Sequence, residues 1–142
     1  LVETIEQVRN DYNLPIKIVL GGNFQLPVEG IVDSCCGPRE FLSYIRNAEC
    51  VITNSFHGTA FSIIFEKKFV CVAHSSKNTR LESLLSAVKQ LDKQVGKDEC
   101  ICIRENYIEE RTVQLLHKKI VESKLYLFSQ IMELKECKKL EY

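Results

Sequence analysis

Apolar residues along the chain fall into two kinds of spacing, and the two alternate. "LVETIEQVRNDY" sets Val2, Ile5 and Val8 at helical steps. "IKIVLGG" is a continuous apolar run closed by two glycines, the pattern of a strand covered on both faces, and "NFQLPVEG" after it predicts a loop. "IVDSC" predicts a short second strand. "GPREFLSYIRNA" predicts a helix with Pro38 near its first position and Phe41, Leu42, Ile45 and Ala48 on one face.

"CVITN" predicts the next strand. From Ser55 to about Glu66 the chain is helical in pattern and apolar almost all round, as suits a helix buried between a sheet and something else. "KFVCVA" predicts another buried strand. "NTRLESLLSAVKQL" brings Leu81, Leu84, Leu85, Val88 and Leu91 into phase, with Thr79 and Glu82 spaced as a capping box. After a polar break containing Gly96, "CICI" fits a short strand. Residues 107–138 predict a long C-terminal helical segment, with Val113, Leu116, Ile120, Leu127, Ile131 and Leu134 at three-, four- and seven-residue steps.

Strands and helices joined by short connections predict an α/β fold with parallel strands and right-handed helical crossovers. The expectation is one Rossmann-like three-layer α/β/α domain over residues 1–142, a size that buries one core. The chain opens on Leu1 and runs straight into a helical pattern, so it is expected to be a C-terminal piece of a longer, two-domain protein.

Charge narrows the partners. Lys and Arg together number 19, as do Asp and Glu, so no general field exists to hold nucleic acid, and any anion site must be local. No apolar run approaches the ~20 residues of a transmembrane helix, and no secretory leader is expected. Seven cysteines, several in apolar contexts such as "FVCVA", fit reduced, buried thiols. The expected location is therefore cytoplasmic, with peripheral contact to the inner face of the membrane as its one variant. The three histidines lack ligand spacing and no Cys-x2-Cys pair occurs, so no metal or other cofactor is expected.

Chemistry is expected at the strand ends, where loops lead into helix N-termini. In "TNSFHGT", a cap at Asn54 or Ser55 places His57, Gly58 and Thr59 in the first turn, with amides facing a phosphate- or carboxylate-sized pocket. Glycine inside a helix costs about 1 kcal/mol against alanine, so Gly58 calls for a close approach by a ligand or a neighbouring backbone. His57 can donate to an anion or move a proton near neutral pH. The plainer alternative is a histidine bonded to a carbonyl in the core.

A second junction, "AHSSKNTRL", carries Arg80 in the first turn of a helix, where the dipole disfavours a cation unless it meets an anion. A solvated arginine whose stem covers Leu81 or Leu84 is the alternative. Arg39 and Arg46 share a face better read as solvated. The neighbouring Cys35 and Cys36 could form only a strained disulfide and are read as structural or incidental.

The ordered set "GPREFLSYIRNAECVITNSFHGTAFSIIFEKKFVCV" and "NTRLESLL" resembles the polysaccharide pyruvyl transferase family, best over about residues 37 to 91. The resemblance implies the C-terminal half of a glycosyltransferase-B-like enzyme that transfers pyruvyl from phosphoenolpyruvate to a sugar of a bacterial cell-surface polysaccharide or exopolysaccharide. It implies that His57 is the active-site histidine and that Asn54, Ser55, Phe56, Gly58, Thr59 and Arg80 bind the donor. Ser55 stands where several members carry an arginine, and Arg80 is the residue able to compensate. The partners implied are phosphoenolpyruvate, a saccharide acceptor and an N-terminal domain of the same protein, without which this segment is silent. Two other readings stay open: the nucleotide-sugar half of another such glycosyltransferase, with Glu82 as a candidate for ribose, and a non-catalytic interaction domain acting through the long helix.

Overall fold

In a computed structural model the chain is described over residues 2–19, 27–72, 79–96 and 108–139. Its elements are α1 (Val2–Tyr12), β1 (Lys17–Val19), β2 (Ile31–Asp33), α2 (Pro38–Asn47), β3 (Cys50–Thr53), α3 (Phe56–Ile64), β4 (Lys68–Val72), α4 (Thr79–Ala87), a 3-10 turn (Leu91–Lys93), β5 (Gln94–Val95) and α5 (Glu110–Lys139). Every strand pairing is parallel. The fold is thus mixed α/β with helices on both sides of parallel strands, a Rossmann-like α/β/α arrangement.

β4 is the centre of the core, and its alternation explains the two layers. Phe69 and Cys71 point to one side, where they join Ile63 of α3 and Leu81, Leu85 and Val88 of the α4 region. Val70 and Val72 point to the other, towards Val95 of β5 and Val8 and Tyr12 of α1. Burial on both faces is why "KFVCV" is apolar without a polar alternate. The β3–β4 register sets Thr53 beside Cys71, so the ends of β3 and β4, which lead towards α3 and α4, lie nearly level.

The parallel strands form two hydrogen-bonded sheets, β1-β2 and β3-β4-β5. Ile52 of β3 packs against both the Val70–Val72–Val95 cluster and the Ile5–Ile18–Val28 cluster, so side chains join what the backbone ladder does not. The expected strand at "CICI" lies outside the described residues. Among the described residues, the third strand of the β3-β4-β5 sheet is Gln94–Val95, inside the stretch expected as a polar break. Two residues are too few to show an alternation.

Helix ends follow local chemistry. Pro38 opens α2 after Gly37, and the Tyr44 hydroxyl donates to Asp33 Oδ2 at 2.7 Å, tying α2 to the end of β2. This bond pulls the Asp33 carboxyl below its ordinary range and pushes the Tyr44 phenol up to about 12. α1 ends on Asn13 with φ 51°, whose amide donates to the Arg9 carbonyl. α3 ends two residues earlier than expected, because Glu66 adopts φ 53° and the Lys67 amide turns back to the Ser62 carbonyl. Thr79 is already helical, one position too far in to be the expected cap, and the residue before it lies outside the described residues.

α5 runs unbroken for 30 residues. Ile108 and Leu116 pack on the Phe69 side of the core, and the buried Thr112 hydroxyl accepts from Gln90 Nε2 at 2.8 Å. The helix was expected from Tyr107 and begins three residues later, at Glu110, with Ile108 and Glu109 still non-helical; Tyr107 itself lies outside the described residues. Among the described residues, no helix is long and apolar enough to cross a membrane.

Candidate functional site

Thr53, the last residue of β3, builds the turn into α3. Its Oγ1 accepts from the Ser55 amide at 3.0 Å, folding the chain sharply off the strand. Ser55, extended at φ -93°, ψ 135°, then caps α3 by accepting from the Gly58 amide at 3.4 Å. The Thr59 amide closes the first helical bond onto the Ser55 carbonyl at 3.0 Å. Gly58 and Thr59 amides are therefore spent within the turn. Among the described residues, Phe56 and His57 are the ones whose first-turn amides stay open to a ligand.

Gly58 is required by packing. A Cβ there would fall onto the Thr53 hydroxyl and come within 3.0 Å of the Thr53 Cβ. The close approach expected from sequence is thus a neighbouring side chain. Thr53 itself was missed, and its signal was available: a threonine closing a strand five residues before a helical glycine.

The predicted residues divide by exposure. Asn54 and His57 are exposed, Ser55 and Phe56 are half-buried, and Gly58 and Thr59 are buried. His57 faces solvent rather than a core carbonyl, which removes the plainer alternative. Thr59 is turned into the core, its side chain fully buried and its hydroxyl facing the Cys71 thiol. Burial pushes that thiol up, and the Thr59 hydroxyl draws it part of the way back. Ser62 donates to the Gly58 carbonyl at 2.8 Å, so the inner face of the turn is closed by side chains as well.

Arg80 is brought to this turn from α4. Its guanidinium carbon lies 4.8 Å from the Phe56 ring centroid, and the His57 ring meets Phe56 edge-on with centroids 5.7 Å apart. Arg80 and His57 thus both neighbour the Phe56 ring at the start of α3, where the Phe56 and His57 amides are open. An anion placed there would meet a cation, a ring N–H and the positive end of α3. His74, Ser75, Ser76, Lys77 and Asn78 of the same junction lie outside the described residues. Arg39 and Arg46 are exposed on α2, and Cys35 and Cys36 are free thiols at the end of β2.

The family model described as Polysaccharide pyruvyl transferase matches residues 2–76, from α1 through β4 and including the whole Ser55–Thr59 turn. The chain belongs to the polysaccharide pyruvyl transferase family. The match reaches further towards the N-terminus than the motifs suggested and stops before Arg80. No curated protein and no solved structure matches the chain. The family makes this a transferase domain of polysaccharide biosynthesis, and among the described residues its matched span holds a strand-to-helix junction with an exposed histidine on it.

Proposed function

We propose that this domain binds phosphoenolpyruvate at the start of α3 and takes part in moving its pyruvyl group onto a saccharide. The observation that supports the reading most is the exposed His57 beside two open amides, inside the stretch that matches the family. Phosphate and carboxylate are both anions of the size such a helix start accepts. Ser55 spends its hydroxyl on the cap, so the cation supplied by arginine elsewhere in the family comes here from Arg80. Asn54, exposed at the same lip, offers an amide to the donor or the sugar.

The chemistry asks little more of these residues. Protonation of the enol methylene makes the adjacent carbon electrophilic, and a sugar hydroxyl adds to it. A second hydroxyl then displaces phosphate to close the ketal, its proton leaving to base. His57 donates the first proton or holds the departing phosphate, while Arg80 and the Phe56 and His57 amides carry the phosphate charge. No cofactor is required. The acceptor sugar would be held by an N-terminal domain completing a glycosyltransferase-B-like enzyme, and residues 1–142 alone would be silent.

The test is His57→Ala in the full-length protein, with phosphoenolpyruvate affinity and pyruvyl transfer both measured. Loss of transfer by about 100-fold or more is expected for a lost acid. Unchanged transfer would remove His57 from the site, and binding of a nucleotide sugar in place of phosphoenolpyruvate would reassign the pocket to a glycosyltransferase.

A further inference from the structure

Phe56 is the one member of the Ser55–Thr59 turn whose side chain bridges the core and the opening. It packs against the cluster of Ile63, Phe69, Cys71, Leu81, Leu85 and Val88. Arg80 lies over its ring at 4.8 Å, and the His57 ring packs against it in a T-shaped pair at 86° between ring planes. Arg80 sits in the first turn of α4, where a cation is disfavoured by the helix dipole. Among the described residues no carboxylate pairs with it; its assigned neighbour is the aromatic ring. Among the described residues, a long, exposed arginine in an unfavourable place is thus held by this contact, which places its guanidinium beside α3.

We propose that Phe56 is a positioning residue of the donor site, whose ring holds the Arg80 guanidinium over the start of α3 and thereby sets donor affinity. The proposal rests on the reading that the anionic donor binds there. An aliphatic side chain at 56 would keep the packing against Ile63 and Phe69 but offers no π-face to the cation. The contact also fixes a distance: Arg80 and His57 touch the same ring, so a donor held by one is presented to the other. Fixing a flexible arginine before the donor arrives lowers the ordering that binding would otherwise require.

The experiment uses full-length protein and phosphoenolpyruvate. Phe56→Leu should raise the donor KM about 3- to 30-fold, the span of a cation–π contact, with the smaller part of the loss in kcat. Phe56→Tyr, which keeps the π-face, should restore KM to within about twofold. Combined with Arg80→Ala, Phe56→Leu should add nothing to the KM of Arg80→Ala alone, because the ring acts through the cation. Equal defects in Phe56→Leu and Phe56→Tyr, or an additive double variant, would overturn the positioning role. If Arg80→Ala weakens the donor and Phe56→Leu does not, only this role falls. If Arg80→Ala and His57→Ala both keep normal donor affinity, the donor-site reading falls with it.

Discussion

α3 and α5 are both apolar over much of their circumference, and they end in opposite surroundings. Ile63 of α3 is 1% exposed, whereas Leu125, Tyr126, Leu127 and Phe128 of α5 are each 60% exposed or more. α3 sits between β3 and β4 in the chain and against α2 and α4 in space, with the Phe61 ring meeting Phe41 edge-on at 6.4 Å. Among the described residues, α5 meets the core through its first turns, at Thr112 and Leu116, with Ile108 just before it. The difference lies in connectivity. A crossover helix is delivered onto the sheet by the strands at its two ends, as β3 and β4 deliver α3.

The sharpest way to break this contrast is to truncate one buried and one exposed phenylalanine. Phe69→Ala, beneath α3 on β4, should cost about 3–5 kcal/mol, and Phe128→Ala on α5 less than about 0.5 kcal/mol, read from denaturant midpoints. A cost at Phe128 approaching that at Phe69 would mean that α5 is covered in solution.

Alanine scanning of small residues sharpens it further. Gly58→Ala on α3 should cost about 1–3 kcal/mol by overpacking against Thr53. Ser123→Ala on exposed α5 should raise stability by a few tenths of a kcal/mol, roughly the propensity difference. Thermal midpoints moving in opposite directions is the expected result.

The smallest effect concerns charge. On α5 the Lys119 ammonium lies 2.9 Å from Glu122 Oε2, and this bond holds the Glu122 carboxyl below its ordinary value. A carboxyl lowered by folding stabilises fully above its unfolded value near 4.5 and loses that contribution as pH falls through the lower folded value. Glu122→Gln should therefore speed amide exchange in the middle of α5 at pH 7 and leave α3 unchanged. At a pH low enough to protonate this carboxyl in both folded and unfolded protein, the two should exchange alike.

Much of the architecture was legible because it depends on near neighbours. "KFVCV" between glycine-poor flanks could be little else than a doubly covered strand, and Pro38 marked the start of α2. The Ser55 cap and the reason for a glycine at 58 followed from the same local rules, although the approaching group proved to be Thr53. The end of α3 was misjudged because Glu66, with no glycine signal, takes the left-handed conformation. β5 escaped notice because strand pairing with β4, not pattern, makes Gln94 and Val95 a strand. Periodicity named Ile120, Leu127, Ile131 and Leu134 as a face of α5, and these are exposed together with Leu125, Tyr126 and Phe128 off that face, because spacing along a helix carries no information about what covers it. The meeting of Arg80 with Phe56 joins residues 24 apart and depends on how α4 returns to the sheet.

Thr53 has a further consequence for how this chain folds. Parallel strands can pair one residue out of step, and such a slip would carry every β3 side chain to the opposite face. In the slipped pairing Asn54 would stand where Thr53 belongs, and the hydroxyl that accepts from Ser55 and fits the space at Gly58 would point away. The seat between Thr53 and Gly58 therefore acts as a register pin that disfavours the misaligned sheet.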